Sequence, residues 1–288
     1  MGKADSDISP SSEVSPSREP VATEAFELAM QSDIGNNRSN NEDSCGHFVE
    51  GPDAVVFAVA DGVGGYAGGE IASKMAVEIV LQSFSSSPRD WGPAKRLHRA
   101  VQTANIEVYN FALTVPELRR MATTLTAVSI DNGVLSATHI GDCRLHLFRS
   151  GRVTQITKDH TMVGERVRMG LMTEARAKNH PDRSMLLRSL GHELIVSIDR
   201  ISMPLRKGDE LLLCSDGMYN VIEANELMSL TREFSAEDAC KKLIRTANQR
   251  GTGDNLTVAL FKQLAETPEV GPPAGWRGRL KSLFSRRS

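Results

Sequence analysis

Residues 125–156 read LTAVSIDNGVLSATHIGDCRLHLFRSGRVTQI. Within them Leu125–Ile130, Val134–His139, Arg144–Phe148 and Val153–Ile156 are short runs rich in Val, Ile, Leu and Thr, the composition and length of strands. Asp131-Asn132-Gly133 and Ser150-Gly151 separate them, and such residues tolerate the left-handed backbone of tight hairpin turns. Connections this short leave no room for a crossover helix. The spacing therefore predicts four strands in successive antiparallel hairpins and disfavours parallel βαβ winding.

Upstream, Ala54–Ala60 is a continuous apolar run suited to a buried strand, followed by the Gly-rich loop Gly64–Gly69. Ile71, Ala72, Met75, Ala76, Ile79 and Val80 then recur at helical spacing, and a second helix is expected over Pro93–Ala112. Downstream, Thr157–Leu190 is charged and irregular, with Arg166, Arg168, Arg176, Arg183 and Arg188. Strands are expected at Ile195–Ile201, Glu210–Cys214 and Leu256–Phe261, with helices at Ala224–Leu230 and Ala236–Gln249. Many antiparallel strands with a few amphipathic helices imply an α+β domain of two packed sheets flanked by helices.

The 288 residues, 40% hydrophobic, suffice for one sizeable domain with tails. A net charge of −2 gives no drive toward nucleic acid. Cys45, Cys143, Cys214 and Cys240 have no paired spacing, against a disulfide scaffold or zinc site and in favour of a reduced, cytoplasmic setting. The seven histidines form no zinc-binding pattern, and His160, in the Arg-rich segment, reads as a surface residue. No apolar run approaches the roughly 20 residues of a membrane span.

Residues 1–24 are rich in Ser, Pro, Asp and Glu and are expected to be disordered, since they bury too little to offset ordering. The folded domain is expected over 25–263. Residues 264–288 hold a Pro/Gly linker and a basic stretch in which Trp276, Leu280, Leu283 and Phe284 share helical spacing among arginines. That stretch is either a loose tail or a weak contact for an anionic membrane or an acidic partner.

Asp61, Asp216 and Asp254 each sit in a Gly-flanked break beside an apolar stretch: Asp61-Gly62-Val63-Gly64-Gly65, Ser215-Asp216-Gly217 and Gly251-Thr252-Gly253-Asp254-Asn255. Singly, an Asp-Gly pair is most often a turn. Three acids converging in an apolar core need a positive partner, and oxygen-only ligation points to Mg²⁺ or Mn²⁺. A metal-dependent hydrolase is the reading that follows.

The ordered motifs resemble those of the PP2C-type (PPM) metal-dependent Ser/Thr protein phosphatases, especially compact bacterial members. They run from Ser32-Asp33-Ile34-Gly35, Arg38 and Asn41-Glu42-Asp43 through Asp61-Gly62-Val63-Gly64-Gly65, Thr123-Thr124 and Gly141-Asp142-Cys143-Arg144 to Ser215-Asp216-Gly217 and Asp254-Asn255-Leu256-Thr257. The resemblance implies a four-layer αββα sandwich with two Mg²⁺ or Mn²⁺ ions at one edge. It implies that Asp61 bridges both ions, that the Gly62 carbonyl binds one, and that Asp216 and Asp254 bind the other. Glu42 and Asp43 match acids near the first ion, Asp142 an acid that binds a third ion in some bacterial members, and Arg38 the arginine that holds the substrate phosphate.

Phosphorylated Ser/Thr proteins, and a cognate Ser/Thr kinase acting in opposition, are the implied partners; a phosphoprotein-binding module of the same fold is the non-catalytic alternative. Val63 stands where many eukaryotic members have a histidine proposed as general acid. Cys143 and Arg149 have the C-x₅-R separation of cysteine-dependent phosphatases, but the intervening residues contain no glycine and alternate like a strand, which cannot form a phosphate cradle.

Overall fold

The computed structural model describes residues 16–63 and 68–267. The chain begins with β1 (Val21–Ala22), β2 (Phe26–Asp33), β3 (Asp43–Gly51) and β4 (Ala54–Val63), then the helices α1 (Gly68–Ser86) and α2 (Pro93–Thr114). The strands β5 (Ala122–Thr123), β6 (Leu125–Asp131), β7 (Val134–Ile140), β8 (Arg144–Arg149) and β9 (Arg152–Gln155) precede two short helices, α3 (Met162–Arg168) and α4 (Glu174–Lys178). Last come β10 (Asp199–Pro204), β11 (Glu210–Cys214), α5 (Asp216–Tyr219), α6 (Ala224–Thr231), α7 (Ala236–Gln249) and β12 (Leu256–Gln263).

Two antiparallel sheets result. One has the order β1-β2-β12-β11-β8-β9, the other β10-β7-β6-β4-β3 with β5 paired to β4. Alternation along β4 shows why the strand is apolar from Ala54 to Ala60, before Asp61 at its site end. Val55, Phe57 and Val59 face the opposite sheet, where Phe57 stacks on Phe261 at 6.3 Å, while Val56, Ala58 and Ala60 face α1 and α2. A strand covered on both faces has no position left for a polar side chain. In the other sheet Leu212, Cys214, Val258 and Leu260 are covered by α5, α6 and α7. The fold is a four-layer αββα sandwich, as expected.

Local chemistry sets the helix ends. Pro93 opens α2, where its missing N–H costs nothing. Ser235 caps α7 by accepting from the Asp238 N–H at 3.1 Å, and Ala236, Ala239, Cys240, Leu243, Ile244 and Ala247 form its buried stripe.

Three expectations need correction. The four strands of 125–156 form two hairpins in different sheets rather than a run of successive ones. Asn132 and Gly133, at φ 48° and 71°, and Ser150 and Gly151, at 52° and 74°, make the predicted tight turns. The chain crosses between sheets at Gly141-Asp142: β7 pairs with β6 and β10, and β8 with β9 and β11. Residues within the stretch assigned to disorder are ordered: Ser17 pairs with His47, Arg18 Nε donates to the Cys45 carbonyl at 3.0 Å, and β1 pairs with β2. Ile195 lies outside any strand and is 84% exposed, and β10 starts only at Asp199. The C-terminal basic stretch, and Gly64 and Gly65, lie outside the described residues.

Candidate active site

The acids singled out in the sequence come to one edge of the sandwich from both sheets. Asp43 and Asp61 are direct cross-strand partners at the ends of β3 and β4. Asp216 opens α5 immediately after β11, and Asp254 lies just before β12. Asp142 occupies the turn that crosses between the sheets. Arg38 lies over this edge, its Nη2 2.8 Å from Asp254 Oδ1 and donating to Oδ2 at 2.9 Å, with 45% of its side chain exposed.

Backbone contacts lock the edge. The Asp61 N–H donates to Thr124 Oγ1 at 2.9 Å, and Thr123 Oγ1 and the Thr124 N–H both donate to the Asp61 carbonyl. The Gly62 N–H donates to the Glu42 carbonyl at 3.0 Å. A Cβ on Gly62 would collide with the Gly69 carbonyl, and one on Gly69 would stand 2.9 Å from the Glu42 carboxyl carbon. Gly62 and Gly69 thus let two backbone segments meet beside Glu42 where no side chain fits.

Sequence reading named no role for Asn255, Ser215 or Thr124, although all three fall inside quoted motifs. Asn255 Nδ2 donates to the carbonyls of Ile34 and Asn40, and its Oδ1 accepts from the Glu42 N–H, each at 2.9 Å. One amide thereby staples the loop carrying Arg38 and Glu42 to the turn carrying Asp254. Ser215 Oγ donates to Asp43 Oδ2 at 2.6 Å and accepts from the Thr257 N–H. The available signal was polar residues at strand ends in an apolar context, which need partners once buried.

Burial and mutual repulsion dominate the electrostatics. Asp43 is pushed up to about 7, first by burial, opposed by hydrogen bonds from Ser215 and Thr257, then raised by Asp216 and Asp254. Burial followed by the same kind of repulsion drives Asp142 up to about 8 and Asp216 to about 6. Asp61 is held well above the usual carboxylate range by burial and by Asp43, Asp216, Asp142 and Asp254. Glu42 is raised by burial, with Arg38 opposing.

Among the described residues, no three His, Cys, Asp or Glu side chains form a closed ligating set. Their chemistry nevertheless fits a hard divalent cation: buried oxygen donors, raised by one another's charge, beside a glycine-lined approach.

The remaining candidates sort clearly. Cys143 is fully buried, its thiol is pushed well above its ordinary value by burial and by Asp61, and residues 144–149 form strand β8. It cannot serve as a thiolate nucleophile above a phosphate cradle. Arg144 pairs with Asp159, its Nη2 2.7 Å from Oδ2, and not with Asp142. His160 is 1% exposed, so the surface assignment is overturned. Its Nδ1 accepts from the Gly141 N–H at 3.1 Å, and its Nε2 lies 3.2 Å from Asp199 Oδ2. The sequence could not show this, because the partners lie about 20 and 40 residues away and a lone histidine in a charged stretch carries no periodic signal.

The charged segment after β9 folds over the acidic edge. With α5 and α6 it encloses a cleft of about 920 Å³ that ends at Asp142 and Asp216 and receives Arg168, Lys178 and Arg183. Several of these cations are already paired, Arg168 with Glu165 and Lys178 with Glu223.

Comparison with known proteins agrees with this geometry. A family profile described as Protein phosphatase 2C matches residues 33–265. Protein phosphatase PhpP of Streptococcus pneumoniae is 33% identical over 85% of this chain and 100% of its own length. The serine/threonine phosphatase stp of Listeria monocytogenes is 31% identical over 81% of this chain and 94% of its own. The crystal structure of the Mycobacterium tuberculosis serine/threonine phosphatase PstP/Ppp superposes with a TM-score of 0.76 at 33% identity, covering 84% of this chain and 100% of that one. The catalytic domain of PstP in complex with 2 manganese ions gives a TM-score of 0.73 at 32% identity, covering 84% of this chain and 99% of that one.

Proposed function

Since this chain belongs to the protein phosphatase 2C family of Ser/Thr phosphatases, we propose that it removes phosphate from phosphoserine and phosphothreonine of proteins, in opposition to a Ser/Thr kinase. Asp61, the Gly62 carbonyl, Asp216 and Asp254 would hold two Mg²⁺ or Mn²⁺ ions. Glu42 and Asp43 would act on the first through water, and Asp142 would hold a third. When bound, the two ions supply charge neutralisation at the phosphoryl group and acidify the attacking water.

The observation that carries the reading is the meeting of acids from both sheets beside the exposed Arg38. Arg38 offers a planar guanidinium that suits phosphate oxygens, and here its Nη2 alone spans both oxygens of the Asp254 carboxylate. Asp254 would hold a cation and Arg38 beside it would bind the phosphate. Thr123 and Thr124 fix the backbone of Asp61, and so the position from which its carboxylate would act. Water attacks phosphorus opposite the Ser or Thr oxygen, the bond to that oxygen breaks, and inorganic phosphate and a free hydroxyl leave without a covalent enzyme intermediate.

The test is phosphate release from a phosphothreonine peptide. Turnover should require Mn²⁺ or Mg²⁺, stop on chelation and disappear in Asp61→Asn. A folded wild-type chain with no turnover in either ion would refute the proposal.

A further inference from the structure

Asp142 is gripped from two directions by neighbouring residues at the root of the charged segment. On one side, His160 and Gly141 exchange two hydrogen bonds. The His160 N–H donates to the Gly141 carbonyl at 2.8 Å, and the Gly141 N–H donates to His160 Nδ1 at 3.1 Å. Gly141, at φ 101°, leaves no room for a Cβ against Thr124, so this turn has one backbone solution. On the other side, Asp159 takes Arg144 by Nε and Nη2, at 3.1 and 2.7 Å from Oδ2. The Arg144 guanidinium lies 3.7 Å over the Tyr219 ring, and the Tyr219 hydroxyl donates to Asp142 Oδ2 at 3.4 Å.

Both grips continue into the segment. The Leu187 N–H donates to the His160 carbonyl at 2.7 Å, and Thr161, which caps α3, pairs with Leu186. Burial lowers the His160 pKa; its Nδ1 accepts from the Gly141 N–H while its Nε2 lies 3.2 Å from Asp199 Oδ2, itself bound by Arg188 at 2.8 Å. His139 lies 4.6 Å from the His160 ring and closes its other face; its Nε2 meets the Lys158 carbonyl at 3.1 Å.

We propose that Asp159 and His160 are positioning residues that jointly fix the Asp142 carboxylate, His160 through the Gly141 backbone and Asp159 through Arg144 and Tyr219. The inference rests on the proposed cation-holding role of Asp142. It makes the ion at Asp142 answer to the placement of the segment that overhangs the cleft.

The experiment uses the full chain, with Mn²⁺ binding followed by isothermal titration calorimetry alongside phosphopeptide kinetics and thermal melting. Asp159→Asn should weaken the lowest-affinity Mn²⁺ site and lower kcat by about tenfold, the usual scale for groups that orient a ligand, with KM for the peptide unchanged. The double variant Asp142→Asn/Asp159→Asn should be no worse than Asp142→Asn alone, since the two changes remove one function. His160→Ala should show the same Mn²⁺ defect, and His160→Asn, whose Oδ1 can replace Nδ1 as acceptor, should recover most of it.

Full additivity in the double variant, or a His160→Asn variant no better than His160→Ala, would overturn the proposal. Should His160→Ala fail to fold, the Asp159 arm decides alone. A wild-type chain that binds Mn²⁺ without turnover would refute the functional reading, while the binding titrations would still decide this one.

Discussion

Asp43→Asn should stabilise the cation-free protein, and only at the right pH. The carboxyl lies at the end of β3, is 5% exposed, and is raised from 3.8 to about 7. Each pH unit of that gap corresponds to roughly 1.4 kcal/mol, so the cost of ionising Asp43 in the folded chain is about 4 kcal/mol. The group is a raised acid. Its contribution to stability is therefore intact below pH 4 and is lost as pH climbs from 4 to 7, where the unfolded chain ionises freely and the folded one resists.

An amide at this position accepts from Ser215 Oγ without carrying charge. In chelator, urea denaturation should find the variant and the wild type nearly equal at about pH 3, about 1 kcal/mol apart at about pH 4.5, and the variant more stable by up to about 4 kcal/mol at about pH 8. The melting temperature should rise by about 10 °C at pH 8. Saturating Mn²⁺ should shrink or invert the difference, because the ions then supply the missing counter-charge. A stability difference independent of pH, or a variant weaker than wild type at pH 8 in chelator, would refute the electrostatic account of this edge.

Three further outcomes are expected. Gly62→Ala should cost about 3 kcal/mol or more and abolish turnover, because its methyl group would meet the Gly69 carbonyl and lie 2.7 Å from the Glu42 carbonyl; melting and phosphate release check both. Arg38→Ala should lower kcat/KM for a phosphopeptide by about 10–100-fold with little change in melting temperature, and Arg38→Lys should recover only part of it. Phe57→Ala, deep between the sheets, should cost about 3–5 kcal/mol in denaturant, while turnover at low temperature persists.

The parts of this fold legible in sequence are those whose signal is local. Asn132-Gly133 and Ser150-Gly151 fix their turns by backbone preference alone, and α7 is bounded by its cap and stripe. Phe26–Asp33 and Asp43–Gly51 escaped notice because Glu27, Gln31, Gly46 and Glu50 interrupt any clean alternation. Pairing with β12 and β4 makes these segments strands, and that is tertiary context. The crossing between sheets at Gly141-Asp142 was illegible for a related reason: hairpin spacing tells that strands turn, not which sheet each joins.

At the site, the ordered motifs located the acids and Arg38. The groups that hold them, Asn255, Ser215 and His160, lie between about 20 and 220 positions from what they bind. No window of sequence contains such a pair.

The crossing at Gly141-Asp142 has a consequence for the protein's survival. The acids on either side of it belong to separate sheets, held face to face by apolar packing, and a cation held among them as proposed would act as a clasp across the seam. Divalent-ion supply would then govern how long the folded chain persists as well as how fast it works. Starved of ions at neutral pH, the sandwich would open first at its mouth, where a protease meets the ends of β3 and β4, and abundance would track the ion that activity requires.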